Sequence, residues 1–317
     1  MSGGNMKNSD LQKLITIYNK IRDNKILSKG DLIFIYEVED KIDAYGYRKK
    51  MIMNFISEKR DFKKDLSFVF NCAEEQISND KQDIIIGKEI IFFKGDLDYN
   101  SLIKDNNQCL KLPRFLNGDL DLNGIKKIKN VILPSILNGS LDISSLICTE
   151  NLILPIIING NLNLSGLTSA YNLSLPLILN GDLNLSGLTN AIGLTLPTHM
   201  KGSLNLQNIA NVIGLKLPKI INGSLDLNSL ISANDLELPH TINGSLYLKG
   251  LQDSEGLILP DNLKGYLYLN NLIDLSKINN KNIKIVYKFN MMTYNEYMSL
   301  LNKKKTIFPL FKKLMKK

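Results

Sequence analysis

Pro218-Lys-Ile-Ile-Asn-Gly223-Ser-Leu225-Asp-Leu227-Asn-Ser-Leu230-Ile-Ser-Ala233-Asn-Asp-Leu236-Glu-Leu238 is one of eight successive 21-residue units. Their prolines are Pro113, Pro134, Pro155, Pro176, Pro197, Pro218, Pro239 and Pro260. A glycine follows each proline by five residues, from Gly118 to Gly265, and a leucine follows each glycine by two, from Leu120 to Leu267. Self-similarity at a fixed period marks a stacked repeat protein. The unit contains two short alternating pieces, G-x-L-x-L and L-x-L-P, and alternation at period two predicts strands with one buried face. Neither piece can bury its leucines alone. Stacked coils can, because each leucine column then packs on itself in the next coil. Eight coils at a strand spacing of about 4.8 Å span roughly 38 Å. Asn-Gly, found in six units, supplies residues that tolerate positive φ and so is read as a tight corner.

Composition agrees with an aliphatic core. Hydrophobic residues make up 44% of the 317 residues, aromatic ones 7%, and Trp is absent. The expected fold class is a β-rich solenoid, leucine-rich-repeat-like or two-sheet, with a small α-helical N-terminal domain and a short C-terminal cap. The domains are placed at 1–83 (helical), 84–274 (repeats with an irregular first coil) and 275–317 (cap and basic tail). In the head, Leu11, Leu14, Ile15, Tyr18 and Ile21 share a helical face with Ser9 as N-cap. Asp31 starts a second helix, and 48–59 and 61–70 read helical. Ile84–Ile86 and Ile90–Phe93 read as strands. In the tail Ile283–Phe289 reads as a strand, Thr293 and Glu296 form a capping box, and Pro309 interrupts the helix that follows.

The L-x-L-P and L-x-L-x-x-L elements, over about residues 95–274, resemble the short leucine-rich repeats of effectors secreted by bacterial pathogens. Gly30-Asp-Leu-Ile-Phe-Ile-Tyr-Glu and Lys64-Asp-Leu-Ser-Phe-Val-Phe also resemble the head that precedes such repeats in uncharacterised proteins of uncultured bacteria. The resemblance implies a solenoid architecture and brings no activity with it. That family places Asn three residues after the second strand leucine, where this chain has Leu146, Leu167, Leu188 or Ile209. Its asparagines precede the glycine instead (Asn138, Asn159, Asn180, Asn222, Asn243), which keeps the two-sheet alternative open. Some secreted relatives add a ubiquitin-ligase domain with a catalytic cysteine; residues 275–317 contain no cysteine, so that activity is not carried over.

No catalytic constellation is legible. His199 and His240 read as corner residues without an acidic partner, and Cys72, Cys109 and Cys148 are scattered with no metal-ligand or disulfide spacing. Asp alternates too irregularly with Asn and Ser for calcium between coils. The expectations are therefore no enzyme, no cofactor, no metal and no small-molecule substrate. With no signal peptide and no long apolar run, the chain reads as cytoplasmic, signal-independent export staying open.

Candidate contacts lie where the core dictates nothing. The residue between the two strand leucines runs Asp121, Asp142, Asn163, Asn184, Asn205, Asp226, Tyr247, Tyr268. Asp226, Tyr247, Lys249, Tyr266 and Tyr268 are the expected patch for a protein partner, because tyrosine combines stiff area with a polar tip. Net charge is +8, yet residues 275–317 hold eleven lysines against one acidic residue. Lys303, Lys304, Lys305, Lys312, Lys313, Lys316 and Lys317 thus form an alternative contact, for nucleic acid or an anionic membrane surface.

Overall fold

The computed structural model describes residues 7–314 except 45, 103–109, 128–130, 272, 277–281 and 289, and their side chains except those of 7, 8, 199 and 305–314. It is a β-solenoid of about nine turns with a small helical N-terminal region and a C-terminal helix. The chain forms two compact units, Met1–Asp121 with Lys129–Leu141 and Ile153–Gly160, and Leu122–Ile128 with Asp142–Leu152 and Asn161–Lys317.

The coil starting at Pro218 shows the construction. Ile220–Ile221 pairs in parallel with His199–Met200 and with Thr241–Ile242. Leu225–Asp226 pairs likewise with Leu204–Asn205 and Leu246–Tyr247. Every partner is 21 residues away, so this coil carries one strand in each of two parallel sheets, one after the proline and one after the glycine. The strand expected at L-x-L-P does not form at Leu236–Pro239; among the described residues only Leu110–Lys111 and Val131–Ile132 pair at that place in the repeat. The register makes like stack on like. Leu183, Leu204, Leu225 and Leu246 form one buried column, Leu185, Leu206, Leu227 and Leu248 a second, and Leu188, Ile209, Leu230 and Leu251 a third. Each fully buried aliphatic side chain contributes about 1.5–3 kcal/mol. The first coil is irregular, since Phe92 pairs with Phe115 and Leu97 with Leu120 at a spacing of 23.

The repeated glycine is invariant for a reason other than the expected one. Of the repeat glycines, none has positive φ, and neither do the asparagines before them. A Cβ built on Gly223 would lie 2.4 Å from Ser203 N and 2.6 Å from Gly202 C; one on Gly118 would lie 2.1 Å from Gly95 O. Backbones of successive coils touch at this column and leave no room for a side chain. Positive φ occurs twelve residues later instead, at Asn151, Asn172, Gly193, Gly214, Asp235 and Gly256. This column turns the chain, and it is restricted to Gly, Asn and Asp because those residues tolerate the left-handed region.

The residue after each glycine carries a second ladder. Asp182 N–H donates to Asn161 Oδ1 (2.8 Å), Ser203 N–H to Asp182 Oδ1 (2.6 Å), Ser224 N–H to Ser203 Oγ (3.0 Å) and Ser245 N–H to Ser224 Oγ (2.9 Å). It stops at Tyr266, whose N–H donates to Ser245 Oγ at 3.1 Å. There the next strand, Lys284–Tyr287, pairs at a spacing of 18, and Asn290–Thr293 closes the sheet in antiparallel pairing.

The head packs four helices, α1 (Lys7–Arg22), α2 (Lys29–Ile35), α3 (Tyr47–Lys59) and α4 (Phe62–Phe70), around Leu14, Ile17, Leu32, Ile35, Ile52, Ile56 and Leu66. Ser9 lies inside α1, so it is not the N-cap. Asp31 is the third residue of α2 and closes a capping box with Ser28, with Lys20 Nζ 2.8 Å from its carboxylate. Burial raises the Asp31 pKa, but Lys20 and Ser28 outweigh it and hold the carboxyl below its ordinary value. Asp65, also buried, accepts Tyr36 O–H at 2.7 Å and pairs with Arg60, tying α2 to α4. Ile84–Ile86 does not form the expected strand. Asp80 caps a short helix there, α5 (Lys81–Ile85), by accepting Gln82 N–H at 3.0 Å, which outweighs the strand preference of the isoleucines.

Three asparagines hold the head. Asn117 Nδ2 donates to Tyr36 O at 2.9 Å, Asn138 to Glu37 O, and Asn159 to Glu39 O at 2.6 Å. These carbonyls follow the end of α2, where intrahelical donors run out. Beside them Phe70 packs on Phe115, ring centroids 4.6 Å apart.

The first coil also contains α6 (Tyr99–Leu102), and α7 (Tyr294–Leu314) follows the last strand. The expected Thr293–Glu296 capping box starts α7. Its range includes Pro309, where an interruption was expected; a proline inside a helix removes one hydrogen bond and can be carried with a kink. Tyr297 is fully buried, and its hydroxyl accepts Ile273 N–H at 2.8 Å; burial pushes its pKa up to about 12.

The two glycine columns separate experimentally. Gly223→Ala is expected to cost about 2–3 kcal/mol, because backbone on the neighbouring coil must move. Gly193→Asn is expected to stay within about 1 kcal/mol, since Asn172 holds the equivalent position. Urea denaturation of both variants checks this, and equal midpoints would remove the close-approach explanation.

Candidate partner-binding face

The column between the strand leucines has a structural job in most coils. Asp142 Oδ1 accepts Ser144 N–H at 2.8 Å, and Asn163, Asn184, Asn205 and Asp226 do the same for Ser165, Ser186, Gln207 and Asn228 at 2.9–3.2 Å. Each short side chain closes the turn after the strand by bonding two residues ahead. The polar, mildly acidic character of this column therefore comes from turn chemistry. The core does not dictate these positions; the local turn does.

Tyr247 and Tyr268 break the rule. Tyrosine has no oxygen within reach of the N–H two residues on, and Lys249 N–H instead donates, at 3.4 Å, to Asn228 Oδ1 of the preceding coil. The two rings stack with centroids 4.3 Å apart and planes 17° apart. Tyr266 meets Tyr268 edge-on at 6.3 Å. Lys249 Nζ sits 5.6 Å from the Tyr247 ring and 5.8 Å from Tyr268, while Lys284 Nζ lies 5.9 Å from Tyr266. The structure thus gathers four of the five expected residues and adds Lys284, which pairing brings beside Tyr266. Asp226 borders them: burial lifts its carboxyl above the ordinary value, against the Asn228 N–H and the charge of Lys249. Burial also raises the Tyr247 hydroxyl, with Tyr268 adding to it. Such a face offers stiff aromatic area with cations at its rim.

Other sequence candidates do not converge. His240 Nδ1 lies 3.4 Å from Asp261 Oδ2, so it has the acidic neighbour that sequence reading missed, one coil on; both side chains are exposed, where such pairs contribute little. Cys72 and Cys148 are free thiols, with burial raising Cys72. Cys109 and the side chain of His199 lie outside the described residues. No group of three His, Cys, Asp or Glu among the described residues could hold a metal ion. No helix among them is long and apolar enough to cross a membrane. Lys303 and Lys304 are exposed on α7. The side chains of Lys305, Lys312 and Lys313, and all of Lys316 and Lys317, lie outside the described residues.

No protein-family model matches the chain, and no curated protein or solved structure does so either.

Replacing both rings tests whether they serve the fold. Tyr247→Asn with Tyr268→Asn restores the turn-closing side chain of the other coils but loses a ring stack worth about 0.5–1.5 kcal/mol. The double variant is expected to stay within about 1 kcal/mol of the parent. A loss above about 2 kcal/mol in chemical denaturation would make the tyrosines part of the scaffold.

Proposed function

We propose that this chain is a non-enzymatic protein-interaction scaffold whose contact patch is Tyr247, Tyr266, Tyr268, Lys249 and Lys284, bordered by Asp226. The observation that carries this reading is the broken turn rule. Five coils in this column use Asp or Asn to close their turns, and two coils give that bond up for stacked, partly exposed rings. A residue that departs from the local structural optimum without serving the core is a mark of selection for contact. Aromatic and cationic side chains are the types enriched at binding hot spots. We read the coils as relatives of the short bacterial leucine-rich repeats, which the L-x-L-P spacing supports, and the chain as cytoplasmic.

Affinity capture from the native organism, with the parent and the Tyr247→Asn/Tyr268→Asn chain side by side, tests this. Partners recovered by the parent are expected to fall at least about tenfold with the variant. Equal recovery would overturn the patch.

The charge of residues 275–317 favours a second reading, in which the lysine-rich tail binds nucleic acid or an anionic membrane surface. Binding to a single-stranded oligonucleotide or to phosphatidylserine vesicles is then expected to fall steeply with salt and to vanish on deletion of 303–317. Binding indifferent to salt, or to that deletion, would end it.

A further inference from the structure

The asparagine column before the glycines points to a second contact. In the first unit it works as a clamp for polypeptide. Three successive rungs donate to three carbonyls of an irregular, acidic stretch, Tyr36-Glu37-Val38-Glu39-Asp40, and Asn159 gives its other N–H to Asn138 Oδ1 at 3.2 Å. The neighbouring column supplies the apolar floor, since Phe115 packs against the head.

In the second unit the same columns are built differently. The asparagine column reads Asn180, Lys201, Asn222, Asn243, Lys264. Asn243 Nδ2 donates to Asn222 Oδ1 at 2.7 Å, as between Asn159 and Asn138. Leu177 and Ile178, which stand three coils beyond Arg114 and Phe115, are 79% and 41% exposed. They line a groove of about 730 Å³ with Pro176, Pro197, Thr198 and Lys201. A second groove of about 550 Å³ shares Pro197 and Thr198 and is edged by Lys216 and Lys219. Lys201, Lys216 and Lys219 are exposed, and none forms an ion pair with a carboxylate among the described residues.

We propose that this groove and the asparagine–lysine column of the second unit bind an acidic, irregular polypeptide segment of another protein, by the mode in which the first unit holds Tyr36–Asp40 of its own head. Apolar side chains of the segment rest on Leu177 and Ile178, its carbonyls meet asparagine amides, and its carboxylates meet the three unpaired lysines. The lysines set the charge of the ligand, because the first-unit rungs that hold the already tethered head carry none. This contact does not depend on the tyrosine patch.

The probe is a labelled peptide with the sequence of residues 34–41, blocked at both ends, titrated into the full chain by fluorescence anisotropy. Saturable binding is expected, weakening with salt. It should weaken by roughly tenfold when the peptide's carboxylates become amides, and likewise with Lys201→Glu/Lys219→Glu. Leu177→Ser/Ile178→Ser is a second, uncharged test with the same expected direction, and thermal melts confirm that each variant folds. Binding should survive Asn138→Ala. Absence of saturation up to about 1 mM, the upper range of weak contacts, would overturn the proposal. So would binding that ignores the lysine and leucine variants, or that is lost with Asn138→Ala, which would place the peptide on the head site. Preference of the same lysines for an oligouridine over the peptide would overturn it in favour of nucleic acid.

Discussion

Close approach of successive coils at the glycine column is the constraint on which the rest depends. With backbone against backbone at Gly202, Gly223 and Gly244, a Cβ has nowhere to go, and the coils are held at strand spacing along their length. That contact aligns each coil on the one before it, 21 residues earlier in the regular repeats and 23 earlier at Gly118. A fixed period lets every leucine meet a leucine, and it converts one repeated short oxygen after the glycine into a continuous ladder from Asn161 to Tyr266. Hydrophobic burial supplies the stabilisation and is non-directional, though the alternating pattern already forbids a one-residue slip. Glycine contact and side-chain ladders are directional, so they set the register.

Three polar columns then divide the labour. One bonds coil to coil, one closes the turns from Asp142 to Asp226, and the asparagine column does neither throughout its length. In the first unit it is spent on the head, where Asn117, Asn138 and Asn159 take up carbonyls left over past α2. Because these donors satisfy backbone groups that would otherwise be unpaired near the protein surface, the head is fixed by directional bonds as well as by Phe70 against Phe115.

Much of this was legible. The prolines, glycines and leucines announce the period, the strand after the glycine and its buried face, and the helices of the head follow from apolar spacing, whereas the second strand lies after the proline and not at L-x-L-P. The misreadings share a cause. Asn-Gly looks like a corner because isolated Asn-Gly pairs usually are one, whereas here the neighbour that forbids a side chain lies 21 residues away. The aspartates and asparagines from Asp142 to Asp226 look free because no core contact explains them, yet their partner is two residues ahead. A stricter reading of the column after the glycine, which holds only Asp, Ser or Asn from Asp119 to Ser245, would have found the ladder.

The sequence by itself determined that the chain is a repeat, how long each coil is, which faces are apolar and that the last coils turn aromatic, since these are properties of spacing and residue type. Only the tertiary structure decided which glycines are there for space and which for conformation, that Tyr247 and Tyr268 stack beneath Lys249, that Lys284 joins them, and that the head's carbonyls sit on asparagines 81 to 120 residues away. Those facts rest on distances between atoms remote in sequence, and periodicity sets only the distances between residues that occupy the same place in the repeat.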